Sequence, residues 1–267
     1  MGLSLGWFVG LVAISCYAAA AWPMASRARW PEAALGVGWL AHALGLAMDI
    51  LGVGATAPGA RFGFAPALSA TVWIVLAVHA IESRLLPLPG VRRVLALAGT
   101  LVVLLAALFP GESRPHVGSP WLPLHWLLGV VSYGLFAVAV MHAMLLDAAE
   151  RRMRGRATVA TTTDAQRGLP LMQLERLTFR FVEIGFVVLT TALLLGALMV
   201  SGRWEPHKTV FSVLGWATFA LLLAGRYWRG WRGRQATRWV YGGAVLLLLA
   251  YIGSRFVLEV ILHRTSA

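Results

Sequence analysis

The sequence predicts an all-α polytopic membrane protein. It is read as one integral membrane domain over 1–267, a bundle of eight transmembrane helices with both termini on the external (periplasmic) side. Three observations lead there. Of 267 residues, 59% are hydrophobic and 13% are charged, against about 45–50% and roughly 25% in soluble domains; too few polar side chains exist to cover a soluble fold. Eight continuous apolar runs approach the ~20 residues that a helix needs to cross a bilayer, and their continuity argues against the alternating pattern of a transmembrane barrel. The formal net charge of +12 lies between these runs rather than on a folded face, so it does not read as nucleic-acid binding. Cys16, the single cysteine, gives neither a disulfide framework nor a cysteine zinc site.

In chain order the spans are 3–24, 33–53, 64–82, 91–109, 121–146, 178–200, 207–225 and 239–262. The first has no basic residue before its apolar run, and Arg27 and Arg29 follow it, so it reads as a retained helix rather than a signal peptide. The third and seventh are the shortest. Between the fifth and sixth lies a long connection, 147–177, with the charge run ERRMRGR and the Thr-rich VATTTDAQRG. It reads as a solvated and partly disordered cytoplasmic loop. Its end, LPLMQLERL, sets Leu171, Leu174 and Leu177 at three-residue steps, the pattern of a short amphipathic helix on the inner surface.

Basic residues set the orientation. Seventeen of the 23 Lys and Arg residues, from Arg27 to Arg238, fall between helices 1–2, 3–4, 5–6 and 7–8. Arg61, Arg114, Arg203, Lys208, Arg255 and Arg264 fall on the other face. The four basic loops are therefore expected in the cytoplasm, with contact to anionic lipid as a secondary consequence.

This topology sorts the seven histidines. His116, His125, His207 and His263 gather at the external face, with Trp121, Trp126 and Trp204 beside them. Taken singly, each is an ordinary polar residue at a helix end; several on one aromatic rim suggest a ligand site. Imidazole binds haem iron, zinc or copper, and flat aromatic walls favour a planar ligand such as haem. His42 lies about ten residues into helix 2, near midplane at ~1.5 Å rise per residue, where an ionisable residue is a functional candidate or a hydrogen-bonded core residue. His79 and His142 lie near the inner ends of helices 3 and 5, close to Glu82 and Asp147. Arg255 and Glu259, four residues apart, read as a neutralised pair, or Arg255 as a partner for a haem propionate. Asp49 is expected to partner Arg61 or Lys208, and Glu183 to partner Arg180. Gly185, Gly196, Gly215, Gly242, Gly243 and Gly253 permit close helix packing.

The segment from LERLTFRF to FVLEVIL, with HKTVFS, GWRGRQA and YIGSRFVLE inside it, resembles the haem-handling, CcsA/CcmC-like cytochrome c assembly family. The likeness is nearest to its YpjD/HemX-like inner-membrane branch. PLHWLLGVVSYGLFAVAVMHAMLL (123–146) resembles that family's histidine-led helix, and WLAHAL and ALSATVWIV in the N-terminal part are compatible with it. The resemblance implies a bacterial inner-membrane protein that binds haem on an outer tryptophan-rich platform between two external histidines. His125 would be the first and His263 the second, both tentative iron ligands. The platform would be 202–216, with Trp204, Glu205, His207, Lys208 and Trp216. The sequence departs from the haem lyases where their dense Trp-Trp-Asp signature is reduced to GRWEPHKTV, and where Ala224 stands in place of an inner histidine.

The expected function is haem binding or handling in support of cytochrome c biogenesis, alongside other maturation components. The candidate site comprises His125, His263, His207, His42, Trp121, Trp126, Trp204, Arg255 and Lys208, with no nucleophile–base pairing that would mark an enzyme. Two rivals remain. One is a regulator or scaffold of haem synthesis without bound haem, acting through the basic loop; the other is an accessory to divalent-metal transport that uses His42, Asp49 and the outer histidines.

Overall fold

The computed structural model describes residues 5–22, 30–53, 59–84, 90–114, 121–155, 164–199 and 206–261. Its elements are α1 (Leu5–Ala21), α2 (Trp30–Leu51), β1 (Ala60–Phe62), α3 (Phe64–Glu82), α4 (Val91–Leu108), β2 (Glu112–Arg114), α5 (Leu122–Gly155), α6 (Asp164–Met199), α7 (Pro206–Arg229) and α8 (Gly233–Leu248). Beyond Leu248 the last helix continues through a π turn (Leu249–Gly253), a short α stretch (Ser254–Phe256) and a second π turn (Val257–Ile261). Helix dominates because a chain in hydrocarbon must bond every backbone N–H and C=O within itself. Among the described residues seven helices, α2 to α8, are long and apolar enough to cross a membrane, and α1 is a shorter apolar helix. The chain is thus a polytopic helical membrane protein.

The third apolar run, 64–82, has the same bounds as α3. The 147–177 connection differs from expectation: α5 continues to Gly155 and α6 starts at Asp164. The amphipathic stretch at Leu171, Leu174 and Leu177 is therefore part of α6, with Leu174 buried. Arginine and glutamate propagate a helix well without being apolar, so helix outlasts hydropathy here.

The chain packs as two compact units, Met1–Gly118 with Ile252–Ala267, and Ser119–Tyr251. In the first, α1 lies against α2 and α4, and α3 against α4 and α2. Tyr17 of α1 is fully buried. A Cβ at Gly38 or Gly99 would stand 2.9 Å from its ring, so these two glycines form its seat. Trp39 and Trp73 join α2 to α3. Their rings stack at 4.7 Å, and each indole N–H donates to the other's backbone carbonyl at 3.2 Å. The two short strands pair antiparallel, Arg61 opposite Ser113, a feature absent from the all-α expectation. Before them the chain turns at Gly52, with φ of +67° and a would-be Cβ 2.5 Å from the Gly59 carbonyl oxygen.

In the second unit, α5 packs on α6 and α8, and α7 on α6 and α8. Phe136 of α5 stacks on Phe219 of α7 at 3.9 Å, at the centre of a cluster with Phe179, Val182, Leu222, Val240 and Leu247. Gly243 of α8 makes room, since a Cβ there would meet Phe219 at 2.7 Å.

The aromatic seats predict a graded response to added methyl groups. Gly99→Ala pushes against a rigid buried ring and is expected to cost about 1–3 kcal/mol, read as a lower thermal midpoint in detergent. Gly36→Ala meets nothing within 4 Å and is expected to leave the midpoint unchanged or raise it. Equal midpoints for the two variants would show that the Tyr17 seat is loose.

Candidate functional site

The external-end candidates begin with α5. Its N-terminus follows Trp121, and the His125 backbone N–H bonds the Trp121 carbonyl at 3.0 Å, placing the imidazole on the first turn. From there it reaches α6, where Nδ1 lies 3.0 Å from the Ala192 carbonyl oxygen. A carbonyl oxygen only accepts, so Nδ1 carries the hydrogen, and Nε2 keeps the lone pair of the uncharged ring. Metal-bound histidines are held in this way, donating from one nitrogen while the other ligates. The ring lies against Gly196, where a Cβ would come within 2.8 Å of Cε1. Beside His125, Trp121 is exposed and Trp126 half-buried.

Lys208, on the first turn of α7, holds its Nζ 5.9 Å from the centre of the Tyr251 ring, on the first π turn after α8. Tyr133 of α5 donates to the Leu247 carbonyl. These contacts bring the start of α5, the end of α6, the start of α7 and the π turn to one end of the second unit. His125 and Lys208 thus share that end. His207 lies on the first turn of α7, its side chain outside the described residues; Trp204, His263 and His116 are also outside them. Trp216 is drawn inward: its indole donates to Thr190 Oγ1 at 2.9 Å and stacks on Phe186.

At the other end of this unit, Asp147 accepts from Thr237 at 3.0 Å and from Tyr241 at 2.9 Å, tying α5 to α8. Arg226 lies 3.8 Å over the Phe179 ring and pairs with Glu175, which also meets Arg232 at 3.6 Å. His142 is buried and stacks on Phe181 at 5.5 Å. Glu183 accepts from Tyr227 of α7 at 2.7 Å, a partner in place of the expected Arg180.

The remaining candidates belong to the first unit. His42, 3% exposed, has both ring nitrogens engaged: Nδ1 with the Tyr17 hydroxyl at 3.1 Å and Nε2 with Ser69 Oγ at 2.7 Å. It links α1, α2 and α3. Asp49 pairs with Arg61 at 3.2 Å, one of its two expected partners. Arg255, also 3% exposed, lies 3.7 Å from Glu112 of β2, a partner that sequence spacing did not offer. His79 is buried in α3. Among the described residues no three His, Cys, Asp or Glu side chains converge as a metal-binding group.

A family described as Cytochrome C assembly protein matches residues 37–262, from within α2 to the end of the last helix. The chain belongs to the cytochrome c assembly family. Inner membrane protein YpjD of Escherichia coli K12 is 32% identical over 161 residues, 59% of this chain and 60% of that protein. Cytochrome c biogenesis protein CcsA of Prochlorococcus marinus MIT 9313 is 27% identical over 167 residues, 52% of each chain. The CcsA of Synechococcus sp. CC9311 is 28% identical over 167 residues, 52% of this chain and 55% of that one. The chain thus spans between half and three-fifths of the length of these curated relatives. No solved structure matches it. The seven helices among the described residues that are long and apolar enough to cross a membrane, with the likeness to YpjD, make this member of the family a multi-pass protein of the bacterial inner membrane.

His42 predicts a non-additive cycle. His42→Leu leaves two buried hydroxyls without their partner, at ~0.6–2 kcal/mol for each interhelical bond in a membrane, and is expected to lower the thermal midpoint. Adding Tyr17→Phe and Ser69→Ala is expected to restore part of the loss. A triple variant less stable than the single one would show that the hydroxyls find other partners.

Proposed function

We propose that this protein binds or handles haem at its external face, in support of cytochrome c biogenesis; it need not perform covalent chemistry itself. In this reading all eight apolar helices span the membrane, α1 included, and both termini are external. The observation that carries it is His125: a half-buried imidazole whose Nδ1 hydrogen is committed to a carbonyl and whose Nε2 is left to ligate, in a chain of the cytochrome c assembly family. The donor set fits the group. Haem, when bound, would supply an iron that imidazole can ligate and a flat apolar ring with two carboxylates.

His125 and His263 are the residues proposed to hold the iron, with His207 as a third candidate. Trp121, Trp126 and Trp204 supply aromatic faces for stacking. Of the two proposed cations, Lys208 is favoured for the propionates because it shares the His125 end, whereas Arg255 is buried beside Glu112. His42 is assigned to holding helices rather than to ligation, because both its nitrogens are already engaged. Other maturation components are the proposed partners. The two rival readings gain no observation of their own.

The test is the visible spectrum of the detergent-purified protein, with and without added hemin. Wild type from haem-replete cells is expected to show a Soret band that His125→Ala and His263→Ala weaken or shift. Absence of the band in wild type removes the haem reading; an unchanged spectrum in both variants removes the choice of ligands. A C-terminal reporter active only in the cytoplasm is expected to stay silent, and activity would overturn the eight-span topology.

A further inference from the structure

We infer that Gly196 and the Ala192 carbonyl form a positioning device for His125, fixing it as the Nδ1–H tautomer so that Nε2 is the nitrogen presented to a ligand. The inference rests on the reading of His125 as a ligand, and concerns what sets its working atom. The backbone of His125 is held by its own helix turn through the Trp121 carbonyl at 3.0 Å. The Ala192 oxygen, 3.0 Å from Nδ1, has a second lone pair beyond the one used by its helix bond.

Contact is possible only because residue 196 lacks a side chain. A Cβ at that position would lie 2.8 Å from Cε1, 3.3 Å from Nδ1 and 3.7 Å from Nε2, so even a methyl group drives a rigid ring off the carbonyl. Glycine here therefore does more than bring two helices together, as Gly185 shows by contrast. That glycine lies in the same α5–α6 interface and faces Phe136 at 3.2 Å, an apolar ring with no hydrogen to direct. Sequence reading placed both glycines in a single packing class; only Gly196 governs a titratable ring.

The test combines a ligand-free measurement with a binding one. Protein labelled with 15N-histidine is reconstituted in lipid and studied by solid-state NMR at pH ~9, above the ordinary histidine range, with the His125 signals identified by their loss in His125→Ala. In wild type, Nδ1 is expected to be the protonated nitrogen. Gly196→Val is expected to shift the population toward Nε2–H and to weaken hemin binding about tenfold or more, the scale for losing an outer partner of a metal-bound histidine. Gly196→Ala is expected to fall between, and Gly185→Ala to change neither readout. A wild-type Nε2–H tautomer, or a Gly196→Val protein with unchanged tautomer, would falsify the inference; if Gly196→Val does not fold, the wild-type tautomer and Gly196→Ala decide. Should the tautomer behave as stated while hemin fails to bind any form, the positioning device stands and the haem reading falls.

Discussion

Inside a bilayer there is no water to accept a stray hydroxyl, indole or imidazole hydrogen, so a polar side chain between helices must find its partner on a neighbouring helix. That constraint organises both units. Tyr17 and Ser69 meet His42, Asp147 gathers Thr237 and Tyr241, and Trp216 bonds Thr190. Each arrangement joins different helices. Lipid tails are as apolar as leucine, so burial gives little drive for association. The glycine seats under Tyr17, Phe219 and His125 supply close contact instead. Directional bonds and fitted rings together take the place that water exclusion holds in a soluble core.

At His125 this structural requirement and a chemical one coincide. In the proposed reading, the bond that satisfies Nδ1 also chooses which nitrogen would ligate, so that stability and site geometry would rest on the same contact. His42 shows the other outcome. It satisfies both nitrogens, contributes three-helix cohesion and has no lone pair to spare in this arrangement. The two histidines differ both in burial and in the number of their partners, and the roles proposed for them differ accordingly.

Much of the fold was legible because span length and hydropathy are set by bilayer thickness; the boundaries of α3 follow directly from its apolar run. The extensions of α5 and α6 were hidden because Arg151, Arg152 and Glu175 form helix without being apolar. Strands of three residues, such as Ala60–Phe62, carry no periodic signal. Arg255 meets Glu112, which lies in a distant strand that no spacing along the last helix could offer; the Glu259 side chain lies outside the described residues. At the candidate site the sequence offered His125, Trp121, Trp126 and Lys208. It could not offer the Ala192 carbonyl, because a backbone acceptor has no residue signature, and Gly196 looked like any other small residue.

The reciprocal indole bonds of Trp39 and Trp73 bear on how α2 and α3 slide. Smooth apolar helices in lipid can shift lengthwise past one another with little change in contact energy. Here each ring both stacks on its counterpart and donates to the opposite backbone. A displacement of one helical turn, about 5.4 Å, breaks both hydrogen bonds and the stack together. The pair therefore acts as a registry pin, leaving these two helices a single permitted offset along their length.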